Sequence, residues 1–132
     1  MYRHADVFAV ETVVEIADAV QLVASFCITF RDFIVSADLE GTDTIIDFGE
    51  GKAILRPVVD GLRIRIVSHN LLGYLGCRDL LRLHFSDSSM IRDEDYIWMP
   101  ASDIPFAMLD RPAGDSSAGW TRVARGSSGG FR

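Results

Sequence analysis

The segment from Asp43 to Ser68, DTIIDFGEGKAILRPVVDGLRIRIVS, constrains this chain most, because it alternates apolar and polar residues with period two and is broken by glycine-containing turns. Taking Asp60-Gly61 as a two-residue turn sets Val59 opposite Leu62, Pro57 opposite Ile64 and Leu55 opposite Ile66 on an apolar face. The other face then carries Arg56 opposite Arg65, with Val58 opposite Arg63. The turn through Gly49, Glu50 and Gly51 places Phe48 against Ala53 and Ile46 against Leu55. Gly41-Thr42 closes a further hairpin with Leu39 opposite Thr44, Ala37 opposite Ile46 and Val35 opposite Phe48. All three turns agree on one buried face, and a one-residue slip on one strand would turn that strand's core residues to water.

The flanking segments predict helices. Thr12 and Glu15 have capping-box spacing, and Val13, Ile16, Ala17, Val20, Val23, Ala24, Cys27 and Phe30 follow at helical intervals. After the hairpins, Ser68 or Asn70 caps a second helix running to about His84, with Leu71, Leu72, Leu75, Leu80 and Leu83 as its apolar side. Glu94 to Met99 reads as a last strand stopped by Pro100, in which one of the pairs Tyr96/Trp98 and Ile97/Met99 faces the core. The expected fold is α+β: a two-layer sandwich of helix, four-stranded antiparallel meander, helix and edge strand. Residues 1–10 read as a lead or short strand, 11–105 as one domain, and 106–132, rich in Gly, Ser and Arg, as a disordered tail or linker.

Composition narrows function mainly by exclusion. A net charge of −6 over 132 residues argues against a nucleic-acid partner, which requires a basic footprint. No apolar run is long enough to cross a membrane and no signal peptide is evident, so a cytoplasmic location is expected. Cys27 and Cys77 match neither zinc nor redox spacing and read as buried free thiols. His69 and His84 bracket the second helix without a ligand pattern, so no metal or other cofactor is expected. DFGEGKA lies between antiparallel strands and supplies no helix N-terminus for a phosphate. No Gly-x-Ser-x-Gly elbow or other catalytic constellation appears.

The feature with chemical potential is the outer face of the second hairpin, where Arg56, Arg63 and Arg65 emerge together, with Lys52 and His69 at its open end. Like charges directly opposed are destabilising, so the cluster requires anions. These are either an external carboxylate, as an anionic small ligand or partner protein, or the internal acids Asp38, Asp43 and Asp47 two strands away in an ion-pair ladder. The rival sites are a pocket between helices and sheet around Cys27, Cys77 and His84, for a carrier or small enzyme, and a free sheet edge or the Tyr96 to Met99 strand, for a homodimer.

A helix ending near Cys27, a strand, the Phe48-Gly49-x-Gly51 hairpin, the DGLRIRI strand from Asp60, a leucine-rich helix closing at His84 and a strand containing Trp98 together resemble a small bacterial domain of unknown function. That domain occurs alone or ahead of the flavin-binding siderophore-interacting proteins, which reduce ferric siderophores. The similarity covers roughly Val10 to Pro100. The family often carries a basic, His-containing cluster after the first cysteine, where this chain has Ile28, Thr29, Phe30, Arg31 and Asp32. The resemblance implies a non-enzymatic accessory module in iron or siderophore handling. It supplies no catalytic residue, and the flavin-binding barrel that would carry electron transfer is absent from these residues.

Overall fold

The computed structural model describes residues 8–88, 91–107 and 109. Six strands form one antiparallel sheet: β1 (Phe8–Glu15), β2 (Ser36–Glu40), β3 (Asp43–Asp47), β4 (Gly51–Val58), β5 (Gly61–Ser68) and β6 (Met99–Pro100). Their spatial order is β2-β3-β4-β5-β1-β6. Helices α1 (Ala19–Thr29) and α2 (Leu71–Ser88) pack on its apolar face, against β4 and, for α2, also β5. The α+β class and antiparallel sheet follow the sequence expectation, whereas the strand count does not.

The difference begins at Thr12. Phe8 to Glu15 form one strand, where the sequence predicts a lead or short strand up to Val10 and a helix capping box at Thr12. FAVETVVE alternates as well as it fits a helical interval, and its β-branched Val10, Thr12, Val13 and Val14 favour the pleated surface. Pairing with β5 along its length, with Val10 opposite Ile66 and Thr12 opposite Ile64, buries Val14 and Thr12 on the helix side. Helix α1 therefore starts only at Ala19, and its buried residues are Ala19, Val23 and Phe26 while Val20 stands in solvent.

The meander keeps the expected faces but changes two registers. The β2–β3 hairpin has the anticipated pairing, Ala37 to Ile46 and Leu39 to Thr44, and Gly41 takes a φ of +62° in its turn. In β4–β5 the loop is Val59-Asp60, with Val58 opposite Gly61 and Leu55 opposite Ile64. Each strand is displaced by one residue relative to the Asp60-Gly61 turn, so the paired residues keep their faces, but Val59, expected inward opposite Leu62, passes into the loop and stands in solvent. Gly61 is needed inside the strand: a Cβ there would collide with the Val14 carbonyl of β1. Gly51 likewise lies in β4, where an added Cβ would sit 3.0 Å from Cys77 Sγ and 3.1 Å from the Val67 carbonyl. Ile46 accordingly faces Ala53, not Leu55.

The core comprises Ile46, Ala53, Leu55, Leu62, Ile64 and Ile66 from the sheet against Phe26, Cys77, Leu81 and Phe85 from the helices. Helix α2 is capped by Asn70, whose side-chain oxygen accepts from the Gly73 N–H at 2.7 Å. Its buried stripe is Cys77, Leu81 and Phe85, four residues apart, so Leu71, Leu72 and Leu83 are left exposed. The last segment departs most from expectation: Glu94 to Met99 is not a strand, and β6 consists of Met99 and Pro100. Tyr96 and Trp98 form the inward pair, stacked at 6.2 Å, and Ile97 faces out. The lead before Phe8 and the tail beyond Leu109 lie outside the described residues.

Candidate functional site

The arginine face forms, but it is already occupied. Arg56 lies opposite Arg63, not Arg65, and Arg65 lies between Ile54 and Glu11. Arg56 makes a bidentate pair with Asp43, Nε to Oδ1 at 2.6 Å and Nη2 to Oδ2 at 2.9 Å. Of the three internal acids expected in the ladder, Asp38, Asp43 and Asp47, Asp43 makes this pair, whereas Asp47 Oδ1 accepts from the Gly49 N–H at 2.8 Å. Arg65 is only 7% exposed and donates from Nη1 to Glu11 Oε2 at 2.6 Å, Glu11 itself being fully buried. Arg63 is half-buried, while Lys52 and His69 are exposed. The expectation of three guanidinium groups together in solvent is therefore corrected: two of them are neutralised within the sheet.

The chain's own C-terminal segment covers that face. After β6 pairs with β1, and the Ala101 N–H bonds the Ala9 carbonyl at 3.0 Å, the backbone crosses to the outer side. There the Phe106 N–H donates to Glu11 Oε2 at 2.7 Å, and its ring lies 4.7 Å from the Arg56 guanidinium carbon. Phe106 is completely buried, with a φ of +64°. The sequence places Phe106 in the tail, but its burial and its bond to Glu11 carry the compact unit past 105. Glu11 and Phe106 are the residues that sequence reasoning missed. The alternation of FAVETVVE carried the signal for Glu11, because an acid inside an apolar strand must answer a cation.

On the helix side a groove of about 380 Å³ opens between α2 and the β3–β4 turn. Phe33, Phe48, Leu72, Gly76, Cys77 and Leu80 form its walls, with Glu50 as its charged residue. Two glycines of α2 have different duties here. Gly73 is a close approach, since a Cβ would stand 2.6 Å from the Glu50 carbonyl, whereas a Cβ at Gly76 would meet nothing within 4 Å and point into open space. Leu72 is 80% exposed beside the groove, a large apolar side chain left in water.

Cys77 lies in the groove wall with its thiol pushed up to about 11, first by burial, with a backbone hydrogen bond opposing and Asp47 adding. Burial also raises the Cys27 thiol. Neither is a ready nucleophile near neutral pH. His84 packs edge-on against Phe26, Phe30 and Phe85 at 5.6 to 5.8 Å, and burial lowers its pKa against the opposing pull of Asp87. The three residues of the predicted rival pocket are therefore split: Cys77 reaches a groove, and His84 belongs to an aromatic cluster. Among the described residues there is no group of three His, Cys, Asp or Glu able to hold a metal ion, and no helix long and apolar enough to cross a membrane.

No family model matches the chain, and no curated protein matches it. Its fold is similar to the NMR structure of PA4090 from Pseudomonas aeruginosa, with a TM-score of 0.59 at 18% identity, over 73% of this chain and 99% of that one. At that identity the likeness speaks to the fold alone.

Proposed function

We propose that this chain is a non-enzymatic binding module that receives an apolar group of its partner in the groove between α2 and the β3–β4 turn. The observation that carries this reading is the groove itself, about 380 Å³ lined by Phe33, Phe48, Leu72, Cys77 and Leu80, with Gly76 leaving its floor open. Such volume and lining suit an aromatic or branched aliphatic group. The arginine face is the weaker candidate for an anionic ligand, because Glu11 and Asp43 already occupy Arg65 and Arg56. A module that binds without turnover also fits the accessory role in ferric-siderophore handling implied by the family resemblance. Native mass spectrometry of the purified chain tests that context through co-purified iron complexes or flavin.

The groove reading is tested by titrating indole and isobutylbenzene into labelled protein and following backbone amide shifts. Movement centred on Phe48, Leu72 and Gly76, lost in Gly76→Leu at a melting temperature no lower than that of the unsubstituted chain, is expected. Shifts scattered over the surface, or unaffected by Gly76→Leu, would remove it.

A further inference from the structure

The sheet ends differently on its two sides. At one side β6 is two residues long and includes Pro100, which has no N–H to offer. At the other, β2 is exposed at all five of its residues and no strand lies beyond it among the described residues. An edge strand presents a row of backbone donors and acceptors without ladder partners.

The side chains of β2 divide by face. On the helix side, Ala37 and Leu39 continue the row that includes Ile46, yet both stay exposed: Leu39 is 73% exposed, and Val35, just before the strand, 70%. On the other side stand Asp38 and Glu40, which have no ion-pair partner among the described residues. The strand also leads into the groove. Val35 Cγ2 lies 3.5 Å from a Cβ position on Gly49, and Phe33, two residues earlier, forms part of the groove wall.

We infer that β2 receives an extended peptide as a seventh strand, its alternate residues being apolar toward Val35, Ala37 and Leu39 and basic toward Asp38 and Glu40, with an apolar end residue seated in the groove. This rests on the groove reading above and names the partner's chemistry. Backbone pairing supplies attachment, and the alternate side chains supply selection. Five residues of β2 span about 17 Å, so the matched stretch of partner is about five residues plus the anchoring one. A second copy of this chain suits the edge poorly. Pairing the whole strand with its own two-fold counterpart would set Asp38 against Asp38 and Ser36 against Glu40, opposing like charges at the centre. Basic residues in those places turn repulsion into attraction, and the chain's net charge of −6 favours the same partner at longer range.

The test uses fluorescein-labelled peptides on the full chain: Phe-Lys-Val-Lys-Val-Lys-Val, the same peptide with Glu in place of Lys, and a non-alternating permutation of the first. Anisotropy and amide shifts are read together with chromatographic mass. The Lys peptide should bind and shift residues 36–40 together with Leu72 and Gly76. Asp38→Lys with Glu40→Lys should weaken that binding roughly tenfold or more and favour the Glu peptide, as two exposed attractions become repulsions. Both positions are exposed, so the fold should survive the exchange, which circular dichroism verifies. Binding confined to the groove, blind to the charge exchange and silent at β2, would overturn the edge proposal and leave the groove reading standing. Absence of binding by any peptide, with no response to indole, would overturn both. Self-association abolished by the β2 exchange would assign the edge to a second copy and overturn the peptide.

Discussion

Replacing Glu11 by Gln is the most informative single perturbation of this fold. The carboxylate is fully buried and binds Arg65 Nη1 at 2.6 Å and the Phe106 N–H at 2.7 Å through the same oxygen, Oε2, while Oε1 has no hydrogen-bond partner among the described residues. Glutamine keeps an oxygen for the amide but leaves the Arg65 charge buried without a counter-ion. Removing one member of such a pair costs about 3–5 kcal/mol, and because one acceptor survives, Glu11→Gln belongs near the lower figure, about 3 kcal/mol. Arg65→Met should cost more, about 4 kcal/mol, since the stranded carboxylate retains only the Phe106 amide. In Glu11→Leu with Arg65→Met both charges are gone, and the remaining cost is about 2 kcal/mol for the orphaned Phe106 N–H, far below additivity. Urea unfolding followed by far-ultraviolet circular dichroism reads all three, with unchanged slopes required for the comparison. Single variants each within about 1 kcal/mol of wild type, and additive in combination, would mean that water reaches the pair and that Phe106 does not seal it.

Three further outcomes follow from individual contacts. His84, held neutral among Phe26, Phe30 and Phe85, has a pKa below its ordinary value, so the unfolded chain binds the extra proton first. Stability should therefore fall as pH drops below about 6.5, and His84→Phe should flatten that part of the urea-midpoint profile; an identical profile would contradict the assignment. Gly76→Ala should stabilise by up to about 1 kcal/mol because α2 gains helix propensity with no clash, whereas Gly73→Ala should destabilise because its methyl meets the Glu50 carbonyl; equal thermal shifts would refute the placement of α2. Finally, a disulfide reagent at pH 8 should modify Cys27 before the buried Cys77, whose thiol is pushed up to about 11, and urea should equalise them; mass spectrometry of the timed products decides the order.

The hairpins are legible because period-two alternation needs only neighbours in sequence, and the inward residues from Ile46 to Ile66 stay inward except Val59, which the register change moves into the loop, 99% exposed. Their registers were less legible for a reason that glycine illustrates. Gly61 was read as a turn residue, the usual meaning after Asp, but its role is to let β5 approach the Val14 carbonyl of β1. That cause is invisible without knowing that β1 exists. The same strand carries Glu11, the counter-charge of Arg65, so both are hidden together. Asp43 was foreseen as an internal acid because the hairpin arithmetic placed it on the right face. Phe106 followed no periodicity: a single ring closing over Arg56 after Pro105 leaves no pattern for sequence reasoning to find. A pocket at Cys77 is foreseen from the sequence but its other walls are not, since the groove arises where α2 buries Cys77, Leu81 and Phe85 in place of its leucines.

These errors share a physical direction, and it shifts where a partner can bind. Covering the cationic face with Phe106 and burying Glu11 beneath it turns the most charged part of the sheet into interior, as the cost of an unpaired buried charge demands. Among the apolar side chains left in water, Val35, Leu39 and Leu72 lie at the far end, by β2 and the groove. Leu39, Val35 and Leu72 would each have been inexpensive to replace with polar residues, whereas a buried Arg65 without Glu11 would not. Acidic side chains on an open edge deter a copy of the same edge without deterring a basic strand, so Asp38 and Glu40 act as a filter as well as a guard. That filter weakens with salt while the backbone ladder and groove do not, so discrimination between Lys and Glu peptides should shrink from 50 mM to 500 mM sodium chloride faster than affinity for the Lys peptide declines. Discrimination that persists undiminished at high salt would locate the selective contacts in a buried place, and β2 offers none.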